Sequence, residues 1–278
     1  MPAPLELAHT IAGRLGALRG IAGVAIGGSQ ARGTAREDSD LDLGLYYYPE
    51  KPFALGELAE LARELDDRHL PNLVTPPGEW GPWINGGGWL IIGRLHVDFL
   101  YRDLDQLANV IARCAAGRIT CDYQIGHPAG FHNHIYMAEA HYCLPLHDPL
   151  GVLRTLKGLT AEYPPAMRAE LIRKYLYEAS FSIAIADKPA ARGDVYYVSG
   201  CLFRAVGCLV QVLYALNRCY FVNEKGSISE VDSMPLKPAD FGARAAAIFA
   251  LASPGELPAR VEHCRDLVQA VTNLCAAA

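Results

Sequence analysis

The 278 residues contain no CxxC or HExxH pattern, no low-complexity tract and no excess of positive charge. The missing pairs exclude an evident zinc or thiol-redox motif. Eight cysteines are nonetheless present (Cys114, Cys121, Cys143, Cys201, Cys208, Cys219, Cys264 and Cys275), scattered through apolar surroundings that suit buried free thiols. The longest apolar runs, such as "VGCLVQVLYALN", stop short of the ~20 residues that cross a bilayer, and the first residues show no signal-peptide pattern. No membrane association is expected, and the expected location is the cytoplasm. Lys and Arg number 25 against 30 Asp and Glu, a net charge of −5. That balance argues against a nucleic-acid partner, whose binding needs clustered basic side chains, and favours a small, even cationic, one. With 51% hydrophobic residues the chain has ample material for a core.

The apolar pattern changes character along the chain. The first half alternates short elements: a helix over Leu5 to Leu18, a strand "GVAIGG", a helix from about Ser29, the strand "SDLDLGLYYY" and a helix over Leu55 to Leu65. The segment "LPNLVTPPGEWGPWINGGG" reads as an irregular loop. After it, "WLIIGRLHVDFLYRD" reads as two strands about a tight Gly93-Arg94 turn, followed by a helix in "LDQLANVIARCAAG". From "LPLHDPLG" onward the spacing is helical, with candidates at Ala166 to Ala186, Val195 to Asn217, Pro238 to Leu251 and Leu257 to Ala276. Pro164, Pro165, Pro189, Pro235, Pro238 and Pro254 are expected between helices, because proline donates no helix hydrogen bond. The fold class is therefore α+β in two domains, a mixed-sheet domain over residues 1–148 and a helical bundle over 149–278.

Chemistry concentrates in "GGSQARGTAREDSDLDLGL". Strand alternation sends Leu41, Leu43 and Leu45 to the core and Asp40, Asp42, Gly44 and Tyr46 to the other face. Two carboxylates one residue apart repel each other unless a cation lies between them, and hard oxygen donors suit Mg²⁺ or Mn²⁺. In "RLHVDFLYRD" the same alternation puts Arg94, His96 and Asp98 on one face, so a neighbouring strand can bring Asp98 to the pair. The Gly27-Gly28-Ser29 turn, between strand and helix, offers close backbone approach and free N–H groups to phosphate. Ser29, Arg32, Arg36 and Ser39 can add contacts, and a phosphate cradle beside a metal site suits a nucleoside triphosphate.

"GGSQARGTAREDSDLDLGLYY" with the later "VDFLYRD" resembles the nucleotidyltransferases of the DNA polymerase β superfamily, whose pattern is Gly-Ser, Asp-x-Asp and a distant third acid. The likeness covers about the first hundred residues. The helical half more loosely resembles the accessory domains of antibiotic nucleotidyltransferases. The resemblance implies Asp40, Asp42 and Asp98 as metal and catalytic carboxylates, Asp98 being either metal ligand or general base. It implies Gly28, Ser29, Arg32 and Ser39 as nucleotide contacts, with Lys225 as an accessory-domain lysine reaching the triphosphate. The implied reaction transfers a nucleoside monophosphate, AMP from ATP, to a small-molecule hydroxyl and releases pyrophosphate. A protein or RNA end as acceptor, or a non-catalytic regulatory module, are the alternatives.

Asp194 stands at a helix start, where it serves as an N-cap or, by the resemblance, faces the acceptor. Glu178, Arg192 and His96 are further acceptor-side candidates. His127, His132, His134, His141, His147 and Cys143 crowd one segment without metal-binding spacing, so polar packing or a cleft lining is expected.

Overall fold

A computed structural model describes residues 4–250 and 253–278. Its elements in chain order are α1 (Pro4–Gly16), β1 (Gly23–Ile26), α2 (Gly28–Arg32), β2 (Leu41–Tyr47), α3 (Leu55–Leu65), β3 (Gly87–Ile92), β4 (Leu95–Asp103), α4 (Leu104–Ala115), β5 (Cys121–Asp122), β6 (Phe131–His132), α5 (Ile135–Tyr142), β7 (Leu144–His147), α6 (Val152–Leu159), α7 (Pro165–Ala191), α8 (Val195–Leu216), α9 (Ser227–Ser233), α10 (Phe241–Phe249) and α11 (Leu257–Ala277). The class is α+β. The chain divides into two compact units: residues up to Ala112 with Cys121–Glu162, and Arg113–Thr120 with Tyr163–Ala278.

The first unit is built on a five-stranded sheet of order β3-β4-β2-β1-β7. The β2–β4 pair is parallel and the other pairs are antiparallel. Leu41, Leu43 and Leu45 are fully buried, packed with Val24, Ile26, Val97 and Phe99 and with Ala8, Ile11 and Leu15 of α1. Each of these side chains larger than alanine contributes roughly 1.5–3 kcal/mol by leaving water, and together they fix which face of β2 is left for chemistry. Gly93 and Arg94 form the two-residue turn between β3 and β4 with φ of 58° and 72°, the left-handed pair that matches strand twist. Arg94 is thus a turn residue and does not share the strand face of His96 and Asp98 as the alternation suggests. Asp67 Oδ1 and Oδ2 accept from the Gly93 and Arg94 amides at 3.2 and 3.3 Å, and the buried Asp66 accepts from the Ile91 amide at 2.8 Å. The hairpin that carries Asp98 is pinned at its turn by these carboxylates.

The expectation of a helical pattern from "LPLHDPLG" onward fails at its first residues. Leu144–His147 is an edge strand paired antiparallel to β1 with a register shift between Val24 and Ala25. An edge position tolerates Pro145, which a central strand would not.

In the second unit α7, α8 and α11 pack against one another. Asp194 caps α8, its Oδ1 accepting from the Tyr197 amide at 3.1 Å. By length and composition alone α8 is apolar enough to cross a membrane, contrary to the expected shortfall, but 72% of that window is buried inside the protein, as in a core helix. Pro189 lies inside α7 and not between helices. It occupies the last turn, where its carbonyl still accepts from the Arg192 and Asp194 amides and the missing donor interrupts little. The expected helix end at Leu251 lies outside the described residues. All eight cysteines are free thiols; Cys114, Cys143, Cys201, Cys208 and Cys264 are buried and Cys121, Cys219 and Cys275 half-buried.

Candidate active site

Register assembles the site on the sheet face opposite the leucine core. Asp42 is paired with Asp98 across β2 and β4, and Asp98 is paired with Trp89 across β4 and β3. Paired residues project from the same face, so one row crosses three strands in the order Asp42, Asp98, Trp89. Asp40 stands exposed at the entry to β2, and His96 is exposed two residues before Asp98.

The glycine turn closes the row on the β1 side. The Gly27 amide donates to the Asp42 carbonyl at 2.9 Å. Gly28 has φ of 56°, and a Cβ placed on it would lie 2.7 Å from Asp42 Cγ and closer still to Oδ2. Only glycine permits that backbone to run against the carboxylate. The helix that follows is a stub of five residues, stopped at Gly33, whose left-handed φ of 68° ends it. Ser29 is half-buried in its first turn. Arg32, in its last turn, carries its guanidinium over the Tyr142 ring at 5.5 Å from the centroid. Ser39 Oγ accepts from the Arg36 amide at 2.8 Å, closing the loop that delivers Asp40 and Asp42.

Burial is the largest influence on Asp42, followed by repulsion from Asp98, Asp40 and Glu139; with Arg102 partly opposing, its carboxyl rises from the ordinary 3.8 to about 6. Glu139 and Arg102 form a bidentate pair beneath this face, Nε to Oε2 at 2.6 Å and Nη2 to Oε1 at 2.7 Å, with Nη1 donating to the Tyr101 carbonyl at 3.0 Å. Arg102 is in register with Tyr46, whose phenol burial holds well above its usual value. Neither Arg102 nor Glu139 stood out in the sequence. The "YRD" after Asp98 was the available signal for Arg102, while Glu139 arrives from α5, far along the chain.

Two carboxylates in mutual repulsion fit a hard divalent cation by donor chemistry, and Asp40 and Asp42 are the residues that would hold it. Among the described residues no three His, Cys, Asp or Glu side chains gather into a ligating set.

The sequence profile of the nucleotidyltransferase domain family matches residues 9–80, which span the glycine turn and both residues of the Asp-x-Asp. Residues 9–80 thus carry a nucleotidyltransferase domain. Asp98 and the whole of β3 and β4 fall beyond the matched residues of this nucleotidyltransferase domain. No curated protein sequence matches the chain. Among solved structures it is similar to a nucleotidyltransferase-like protein from Exiguobacterium sibiricum 255-15, 11% identical over 98% of this chain and 75% of that one, with a TM-score of 0.47. That likeness is too distant to carry function.

Lys225, Glu178, Arg192 and Asp194 belong to the second unit. Lys225 is exposed in the turn before α9, its amide donating to Asn223 Oδ1 at 2.9 Å. Glu178 accepts from Arg204 Nε at 2.5 Å. Arg192 and Asp194 line a cavity with Asp187, Lys188 and Tyr197. In the histidine-rich segment His132 and His134 are buried, His141 Nδ1 lies 2.8 Å from the Thr160 carbonyl, and His132 Nε2 lies 3.9 Å from Cys121 Sγ.

Proposed function

We propose that this nucleotidyltransferase-domain protein is an enzyme that transfers AMP from ATP to a hydroxyl group of a small molecule. The observation that supports the reading most strongly is the Asp42–Asp98 register pair flanked by a glycine turn that touches Asp42. The Gly27-Gly28-Ser29 turn receives the triphosphate through backbone N–H groups, with Arg32 and Ser39 beside it. Asp40 and Asp42 would hold Mg²⁺ or Mn²⁺, which would supply neutralisation of the phosphate charge. Asp98 faces the acceptor and takes its hydroxyl proton. The acceptor oxygen then bonds to the α-phosphorus, the bond from that phosphorus to the bridging oxygen breaks, and pyrophosphate departs. His96, exposed two residues before Asp98, serves the acceptor. The acidic net charge of −5 favours a small acceptor over a nucleic-acid backbone.

Pyrophosphate release, screened with each nucleoside triphosphate against pooled hydroxylated compounds, tests the proposal. Asp98→Asn should lower turnover by about 10²–10⁴-fold, the usual loss for a general base, while ATP binding that EDTA abolishes persists. Wild-type protein inert with every nucleotide and acceptor pool, or ATP binding indifferent to EDTA, would defeat the reading.

A further inference from the structure

Trp89 is 59% exposed although it lies on a strand in register with Asp98. One face of its indole is already covered: Trp80 stacks on it with centroids 4.4 Å apart and planes 19° from parallel. Trp80 lies against Gly87, which stands two residues before Trp89 and has no side chain: a Cβ there would run into the Phe99 carbonyl first and would also lie 2.9 Å from Trp80 Cζ3. The loop that carries Trp80 is tied down as well. Its carbonyl accepts from Gln124 Nε2 at 2.7 Å, Thr75 donates from its amide to the Gly87 carbonyl at 2.8 Å, and Val74 forms a bridge with Gly88. Trp80 lies against Gly87 on one side of Trp89; on the other side along the strand stands Ile91, with His96 in register beside it. A large indole left open to water is unusual on the strand face that carries Asp42 and Asp98.

The row across the sheet gives this surface a use. From β1 outward it runs glycine turn, Asp42, Asp98, Trp89. Attacking and leaving oxygens lie roughly in line at a transferring phosphorus. With the triphosphate on the glycine turn, the acceptor must therefore approach from the Asp98 side, where Trp89 is the next residue. We infer that Trp89, backed by Trp80, is a stacking platform for the acceptor, which carries its hydroxyl on a ring with a flat apolar face. This inference rests on the proposed nucleotidyl transfer and narrows its acceptor class from hydroxyl compounds in general to ring compounds. The ring is either aromatic or a saturated sugar-like ring, both of which offer such a face to an indole.

The chain has three tryptophans, so full-length protein bearing Trp83→Phe reports fluorescence from the stacked Trp80–Trp89 pair alone. Titration with phenyl β-D-glucoside, methyl β-D-glucoside, glycerol and adenosine, each in the presence of Mg²⁺ and a non-hydrolysable ATP analogue, reads the platform. Saturable quenching by the phenyl compound alone identifies an aromatic ring, and quenching by both glucosides a saturated one; glycerol should do nothing. In otherwise wild-type protein, calorimetry should show Trp89→Leu weakening the ring compound by roughly 5- to 150-fold, the range for a lost aromatic stack, with Trp89→Tyr restoring most of it. The same loss should enter KM for any acceptor that the pyrophosphate screen finds. Absence of saturable quenching by either glucoside, or unchanged affinity in Trp89→Leu, would overturn the inference. So would quenching by adenosine alone together with weakened ATP binding in Trp89→Leu, which would make Trp89 a nucleotide-base platform. EDTA-sensitive ATP binding measured on the same samples separates these failures from failure of nucleotidyl transfer itself, which would remove the inference with it.

Discussion

Replacing Asp42 by asparagine isolates the electrostatic tension at the site. The carboxyl ionises at about 6 in the folded protein against an ordinary 3.8, because it is buried and faces Asp98 and Asp40. The sign follows from linkage. Below 3.8 the group is protonated in both folded and unfolded chains and costs nothing. Between 3.8 and about 6 the unfolded chain releases its proton while the folded one retains it, so stability falls as pH rises through that window and levels off above it. A displacement of this size corresponds to about 3 kcal/mol. Asparagine keeps the shape and one oxygen but has no proton to lose. Urea unfolding at stepped pH should therefore show Asp42→Asn gaining on wild type through the window and reaching an advantage of about 3 kcal/mol at neutral pH. Millimolar Mg²⁺ at that pH should return stability to wild type and leave the variant unmoved. A difference between the two proteins that stays flat with pH would refute the account of a carboxylate held against its neighbours.

Three further outcomes follow from the same geometry. Gly28→Ala should destabilise by more than about 1 kcal/mol, since φ of 56° is unfavourable for alanine and its Cβ collides with the Asp42 carboxylate, and EDTA-sensitive ATP affinity should fall with it. Glu139→Ala leaves Arg102 buried without its partner and should cost about 3–5 kcal/mol in thermal or urea unfolding, much of it recovered when Arg102→Met is added. Asp66→Ala removes the acceptor for Ile91 and Arg68 and should cost about 1.5–3 kcal/mol at neutral pH. Burial pushes the Asp66 carboxyl up, but those hydrogen bonds outweigh it and bring it to about 2, so the deficit should be full above 3.8, shrink as pH falls below that value and vanish only below about 2.

The glycine turn, the Asp-x-Asp and the leucine face of β2 were all legible in the sequence, because each depends on neighbours within a few residues. A period of two decides which side chains leave the core, and glycine next to a strand end announces a close backbone approach. Helices such as α1, α3, α4 and α8 were legible for the same reason, their apolar spacing being local. The short strand β7 was not, since four residues containing Pro145 become a strand only when β1 offers an edge to pair with. The Gly93-Arg94 turn was legible, whereas its anchoring by Asp67, which accepts from both amides, was not.

Tertiary structure decided what surrounds the carboxylates. Alternation places Asp98 on a face, but only the parallel register of β2 with β4 sets it beside Asp42, more than fifty residues away in sequence. Glu139 enters the electrostatics of Asp42 from α5, a contact that no spacing announces. Trp89 looked like one more apolar residue of a strand, and its exposure became visible only once Trp80 had stacked on one of its faces and the register had set it next to Asp98. Local sequence thus determines which groups can face outward, since backbone periodicity acts over a few residues. Which of those groups meet is settled by strand pairing and packing, whose partners lie tens of residues apart.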